Sequence, residues 1–264
     1  MTTTKRDWAL VLGASSGFGA AVCRAMAARG INVCGVHLDR RSTIASAIAT
    51  REACEAAGVE ALFFNTNAAD PDRIREVMAD LATRCEPGRL RLLFHSLAFG
   101  ALMPLVGDGP KASATPAQAA MTFEVMATSL VGWTQEAVWK DLLGQGSRIL
   151  AMTSAGSTRA MPSYGMVSAA KAALESFVRQ LARELGPRGI TANALRAGVT
   201  DTAALRKIPG HVRMMELALD VNPGGRLTTT EDVARMVDLL LEPGAAWVTG
   251  SVIGVDGGED IAAA

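Results

Sequence analysis

Gly13-Ala14-Ser15-Ser16-Gly17-Phe18-Gly19, with G-x3-G-x-G spacing, is the stretch on which the fold of this chain turns. It follows a compact apolar run over 9–12 and leads into a helical pattern over 18–28. Glycines at a strand-to-helix turn make the turn tight and let a pyrophosphate approach the backbone. The helix behind them offers free N–H groups and the positive end of its dipole to an anion. Any strand-to-helix turn tolerates glycine, so the segment draws its weight from its surroundings.

Working outward, Gly30 is a C-cap signal for the first helix, and 31–36 reads as a second strand. A helix over 44–57, a strand over 61–65 and a helix over 71–84, with Pro71 in its first turn, continue the pattern. Buried strands over 90–94 and 148–152 enclose a long helical region, 116–143. A strong helix is read over 168–185, with Ala170, Leu174, Phe177, Val178, Leu181 and Leu185 on one stripe, and Gly186-Pro187 stops it. A strand over 190–195, an irregular stretch over 196–227, a helix over 230–241 and a strand over 251–255 complete the chain. Strands alternating with helices predict an α/β fold, a Rossmann-type doubly wound parallel sheet in three α/β/α layers. No repeat or linker interrupts it, so 1–264 reads as a single domain. A dinucleotide site is expected in its N-terminal half.

Of the 264 residues, 49% are hydrophobic and 20% charged, which suits a large core. Lys+Arg and Asp+Glu both number 26, and no basic stripe stands out, so neither nucleic acid nor an anionic membrane is an expected partner. Zero net charge also leaves self-association unopposed. Cys23, Cys34, Cys54 and Cys85 have no CxxC spacing and read as reduced, structural thiols. His37, His95 and His211 lack ligand spacing, so no metal is expected. No apolar run reaches the ~18 residues of a membrane span, and no leader-like apolar segment precedes the first strand. A cytoplasmic location is the expectation.

Where the second strand ends, an acidic residue suits the ribose 2′-hydroxyl of NAD and an arginine the 2′-phosphate of NADP. Here stands His37-Leu38-Asp39-Arg40-Arg41. The arginine pair favours NADPH by charge and fork geometry, with NADH possible. The alternative is a solvated helix start with Asp39 as its cap.

Tyr164, the one tyrosine of the chain, precedes Lys171 by seven residues. On a helix, seven steps fall about 20° short of two full turns and rise ~10.5 Å. The two side chains share a face if the helix begins near Tyr164, with room for a ribose between them. Ser154 lies seventeen residues before Lys171, at the end of the strand over 148–152.

The glycine spacing with Ser154, Tyr164 and Lys171 resembles the short-chain dehydrogenase/reductase family. In ordinary members the tyrosine falls four residues before the lysine, where Val167 stands here. The Y-x6-K arrangement resembles instead the enoyl-acyl-carrier-protein reductases. Thr153-Ser154-Ala155-Gly156-Ser157-Thr158-Arg159 followed by Tyr164 is similar to their NADPH-dependent third type. Ser168-Ala169-Ala170-Lys171-Ala172-Ala173-Leu174-Glu175 and Val255-Asp256-Gly257-Gly258 extend the likeness over the chain. His95-Ser96-Leu97-Ala98-Phe99 replaces the ordinary Asn-Asn-Ala-Gly, Met126 the catalytic Asn, and Ala197-Gly198 the Pro-Gly. Leu12 and Ser16 depart from the family, the latter where NADPH-binding members often carry a basic residue.

The resemblance implies NAD(P)H-dependent reduction of the carbon–carbon double bond of an enoyl thioester, on acyl carrier protein or coenzyme A. A ketoreductase or alcohol dehydrogenase of the same fold is the runner-up, and a non-catalytic dinucleotide-binding regulator a third reading. Tyr164 is expected to hold the enolate oxygen and Lys171 the nicotinamide ribose. Ser154 either supports that oxygen or caps the strand end. Cofactor contacts are expected from Gly13, Ser15, Ser16, Gly17, Phe18, Gly19, His37, Arg40, Arg41, Asn67, Ala68, Ser96, Leu97, Ala98, Gly198, Val199 and Thr202. Phe99, Met103, Met161, Leu205, Ile208, Met214 and Met215 are candidates for an apolar acyl slot. The resemblance also implies a substrate-binding loop around 199–226. The alanine-rich face Ala169, Ala170, Ala172 and Ala173, with the family's habit of pairing these helices, suggests a homotetramer.

Overall fold

The computed structural model describes residues 6–262. Seven strands pair in parallel in the order β3-β2-β1-β4-β5-β6-β7. They are β1 Trp8–Leu12, β2 Asn32–His37, β3 Ala61–Asn65, β4 Leu90–His95, β5 Arg148–Thr153, β6 Thr191–Ala197 and β7 Val252–Val255. Each predicted strand is present, its ends shifted by a residue or two. All five residues of β1 are buried, as a central strand covered on both faces requires. Its alternate side chains divide between two cores. Leu10 and Leu12 pack with Met78, Leu93, Trp133 and Leu174, whereas Ala9 and Val11 pack with Val22, Met26, Phe94 and Val237.

Helices α1 (Gly17–Ala28), α2 (Ile44–Ala56) and α3 (Pro71–Ala82) follow the first three strands. Beyond β4 the long helical region is divided. It comprises α4 (Pro116–Phe123), a π-helical turn over Glu124–Thr128, and α5 (Ser129–Trp139), rather than one helix over 116–143. Helix α6 (Gly165–Leu185) begins three residues ahead of the expected start and has Tyr164 as its N-cap residue.

The stretch over 196–227 is also more ordered than expected. It holds the end of β6, a 3-10 turn at Leu205–Lys207 and α7 (His211–Val221). Helix α7 buries only Ala218 while exposing Val212, Leu217 and Leu219, so no apolar stripe announces it in the sequence. Helix α8 (Thr230–Leu241), opened by a capping box of Thr229 and Asp232, and the short α9 (Glu259–Ala262) complete the molecule.

Strand order reverses between β1 and β4, where Leu12 pairs with His95. The crevice above this switch point is where doubly wound sheets bind ligands. Among the described residues no helix is long and apolar enough to cross a membrane, and no cluster of metal-ligating side chains occurs. The four cysteines are buried and unpaired. Burial pushes their thiols upward, Cys54 to about 11 and Cys85 to about 12, which keeps them protonated and unreactive.

Candidate active site

At the switch point the glycines are required by close approach. A Cβ on Gly13, whose φ is +90°, would stand 2.4 Å from the carbonyl oxygen of Ser96. One on Gly19 would stand 2.0 Å from the carbonyl oxygen of Gly13. The Ser96 N–H donates to the Leu12 carbonyl at 2.9 Å, locking the end of β4 to the end of β1. Ser16 caps α1 in extended conformation without a side-chain bond to the first turn, which carries no acidic residue. The amides of Gly17, Phe18 and Gly19 have no acceptor within their own helix, and no acidic side chain stands in its first turn to repel an anion. A cleft of about 480 Å³ opens here, bounded by Ser15, Ser16 and Gly17 on one side and Asp201, Thr202 and Arg206 on the other. This cradle fits a pyrophosphate.

At the end of β2, His37 is buried and its Nδ1 lies 2.9 Å from the Asp39 carboxylate. Burial lowers the His37 imidazole, and Asp39 opposes that shift. Asp39 therefore caps no helix, which corrects the alternative reading of this loop; its N–H donates instead to Asn65 Oδ1 at 2.9 Å. Arg40 and Arg41 are exposed, and among the described residues neither guanidinium has a hydrogen bond or ion pair. Asn67 is exposed, with Oδ1 accepting the Ala69 N–H, while Ala68 is buried and its carbonyl accepts Trp133 Nε1–H at 2.8 Å.

Above β5 the Tyr164 hydroxyl donates to Ser154 Oγ at 3.3 Å. That same Oγ accepts the Gly156 N–H at 3.1 Å, so Ser154 caps the 3-10 turn over Ala155–Ser157 that follows β5 and also faces the phenol. The phenol ring rests on Gly156, where a Cβ would come within 2.6 Å of it. Behind the ring lie Met126, Val167 and Ala170, with Leu102, Phe123, Met161 and Ile208 against them. Burial raises the phenol above its ordinary value, partly offset by the Ser154 bond. Lys171 is buried, and its Nζ donates to the carbonyls of Met152 at 2.9 Å and Leu97 at 3.3 Å. Desolvation draws Lys171 down to about 7, against the pull of Glu175. Tyr164 and Lys171 do not bond to each other, as their axial separation on α6 foretells.

A family model described as Enoyl-(Acyl carrier protein) reductase matches residues 13–259. The chain is a short-chain dehydrogenase/reductase. It is 31% identical over 264 residues to the 1-cyclohexenylcarbonyl-CoA reductase of Streptomyces collinus, covering 99% of this chain and 90% of that protein. It is 34% identical over 200 residues to the enoyl-acyl-carrier-protein reductase (NADH) FabI of Nostoc sp., 76% of this chain and 75% of that one. A 3-oxoacyl-acyl-carrier-protein reductase, FabG of Pseudomonas aeruginosa, is 42% identical over 123 residues, 47% of this chain and 46% of that one. Among solved structures, a short-chain dehydrogenase of Burkholderia cenocepacia in complex with NADP superposes with a TM-score of 0.82 at 28% identity, covering 97% and 98% of the two chains.

As an oxidoreductase of this family, the chain fills the ordinary tyrosine position with Val167 and the ordinary asparagine position with Met126, both buried in the apolar cluster behind Tyr164. Of the acyl-slot candidates, Met161 and Ile208 pack in that cluster, while Phe99 is 61% exposed. Leu205 is buried, Met214 and Met215 are half-buried on α7, and Met103 Sδ accepts from Gln118. The Val199 N–H donates to the Glu259 carboxylate at 2.9 Å, anchoring the loop after β6 to α9. The alanine face needs correction. Ala170 faces the core, and only Ala169 and Ala172 of the four are exposed.

Three polar groups near the site are assigned no catalytic or cofactor role from the sequence. His95, on β4, is buried with Nε2 at 2.8 Å from Ser129 Oγ, whose proton goes to the Val125 carbonyl. Burial and the nearby Lys171 hold His95 down at about 3, so it is neutral. Thr153 and Glu175 form a buried hydrogen bond of 2.6 Å. The sequence signal for Glu175 is a charge one turn beyond Lys171 and next to Leu174 of the apolar stripe; its burial is seen only in the structure.

Proposed function

We propose that this chain uses NADPH to reduce the carbon–carbon double bond of an enoyl thioester. The observation that carries this reading is the Tyr164–Ser154 pair: with Val167 at the ordinary tyrosine position, the phenol one turn earlier still reaches the serine. A bound reduced nicotinamide supplies the hydride. In enoyl reduction negative charge then develops on the thioester oxygen, which needs an aligned donor. The Tyr164 hydroxyl is that donor, and its raised pKa keeps the proton on it at neutral pH. Ser154 holds the hydroxyl until substrate replaces it. Lys171 uses two N–H bonds on carbonyls, and its ammonium form has a third with which it would hold the nicotinamide ribose.

The cradle of Gly13–Gly19 with Ser96, Leu97, Ala98, Gly198, Val199 and Thr202 takes the dinucleotide, His37, Asn67 and Ala68 border its adenosine, and Arg40 and Arg41 meet the 2′-phosphate. The loop around 199–226, carrying α7, closes over the acyl chain. The thioester, on acyl carrier protein or coenzyme A, is met in the cytoplasm by a homotetramer. The likeness to a 3-oxoacyl reductase over 123 residues favours a keto substrate as second reading. Following NADPH oxidation with crotonyl and acetoacetyl thioesters side by side tests the choice. Crotonyl turnover supports enoyl reduction, and rapid acetoacetyl reduction without crotonyl turnover overturns it.

A further inference from the structure

Three consecutive residues at the end of β5 are tied to three side chains at α6. The Met152 carbonyl accepts from Lys171 at 2.9 Å, Thr153 Oγ1 donates to Glu175 Oε1 at 2.6 Å, and Ser154 Oγ accepts from Tyr164 at 3.3 Å. The outer two ties belong to the reaction proposed above. The middle one does not. Thr153 and Glu175 are both buried, and one threonine hydroxyl is a small return for taking a carboxylate out of water.

Lys171 is the nearby cation, although it forms no ion pair with Glu175 and bonds instead to the Met152 and Leu97 carbonyls. It lies one helical turn from Glu175, a spacing that puts the two Cβ atoms about 5–6 Å apart. The titratable groups coupled to Lys171 are Glu175 on its own helix and neutral His95 on β4, while the Tyr164 phenol at the helix start is engaged with Ser154. Glu175 is the one of these that favours the ammonium.

We propose that Glu175 is a positioning residue for the reaction: through Thr153 it fixes the strand end that presents Ser154 to Tyr164, and its carboxylate supplies negative charge one turn from the Lys171 ammonium. The proposal rests on the functional reading above only for which substrate is served.

The chain has five lysines, so NMR titration of protein carrying carbon-13 lysine follows Lys171 without any assay, with Lys171→Met identifying its signal. Glu175→Gln keeps an oxygen that accepts from Thr153 but removes the charge. It is expected to lower the Lys171 midpoint by about one pH unit and to move the alkaline limb of turnover with it. Thr153→Val keeps the charge and removes the bond. It is expected to leave the midpoint in place and cut turnover about tenfold. A Lys171 titration unmoved by Glu175→Gln, or moved equally by Thr153→Val, overturns the proposal and leaves the enoyl assignment untouched. A moved titration in a chain that reduces no enoyl thioester supports Glu175's role and removes the enoyl assignment instead.

Discussion

The Lys171 ammonium nitrogen sits 2.9 Å from the Met152 carbonyl oxygen, with its side chain removed from water. Its pKa falls from an ordinary 10.5 to about 7 because burial penalises the charge. Between those values the unfolded chain binds the extra proton, so the cofactor-free protein gains stability as pH rises from about 7 towards 10. A whole proton amounts to about 1.4 kcal/mol per pH unit. Denaturant unfolding at pH values of about 7.5 and 9 should show the native chain gaining roughly 2 kcal/mol relative to Lys171→Met. Equal changes in both proteins contradict the buried, depressed lysine.

Gly156 is the floor under Tyr164. A methyl group there falls 2.6 Å from the ring, so Gly156→Ala must displace the phenol or the turn beneath it. Misplacing a reacting group by about 1 Å costs on the order of a hundredfold in rate. Turnover should drop by tenfold or more while NADPH affinity, measured by cofactor fluorescence, holds. Unchanged turnover means that the ring position is not what matters.

Arg40 and Arg41 are solvent-exposed and free of ion pairs among the described residues, which leaves both available to the 2′-phosphate of the proposed cofactor. Losing a charge-assisted contact costs about 1.5–3 kcal/mol, so the double change to alanine should weaken NADPH binding about tenfold or more. NADH binding should barely move. Equal losses for both cofactors, or an NADH preference in the native chain, reverse this assignment.

Most of the frame was legible because its signals are local. The Gly13–Gly19 turn, the alternation of strands and helices, and the helix carrying Lys171 all follow from spacing that a linear reading detects. What escaped it depends on three-dimensional context. The π-helical turn at Glu124–Thr128 follows a helical pattern with nothing to mark the extra residue. Helix α7 hides because its apolar side chains face outward. Glu175 and Thr153 are twenty-two residues apart, and only the packing of α6 on β5 reveals them as partners. The alanine run of α6 misled in a smaller way, since Ala170 belongs to the core and Ala173 packs against it.

The outward alanines bear on assembly. Ala169 and Ala172 leave a shallow exposed strip on α6 on which a second copy of the helix can lie closely. Sedimentation at micromolar concentration should give a tetramer, and Ala172→Arg should shift it to smaller species. A monomeric native chain contradicts this.

The central claim is that the Tyr164 hydroxyl, one turn before the ordinary position, is the donor to the developing enolate. Single-turnover reduction of a crotonyl thioester by NADPH-loaded protein, native against Tyr164→Phe, tests it most directly. An aligned oxyanion donor is worth roughly 2.7–4 kcal/mol, so the variant should react about a hundred- to a thousandfold more slowly with NADPH affinity nearly unchanged. No other tyrosine exists in the chain to take its place. Enoyl reduction by Tyr164→Phe at the native rate contradicts the account.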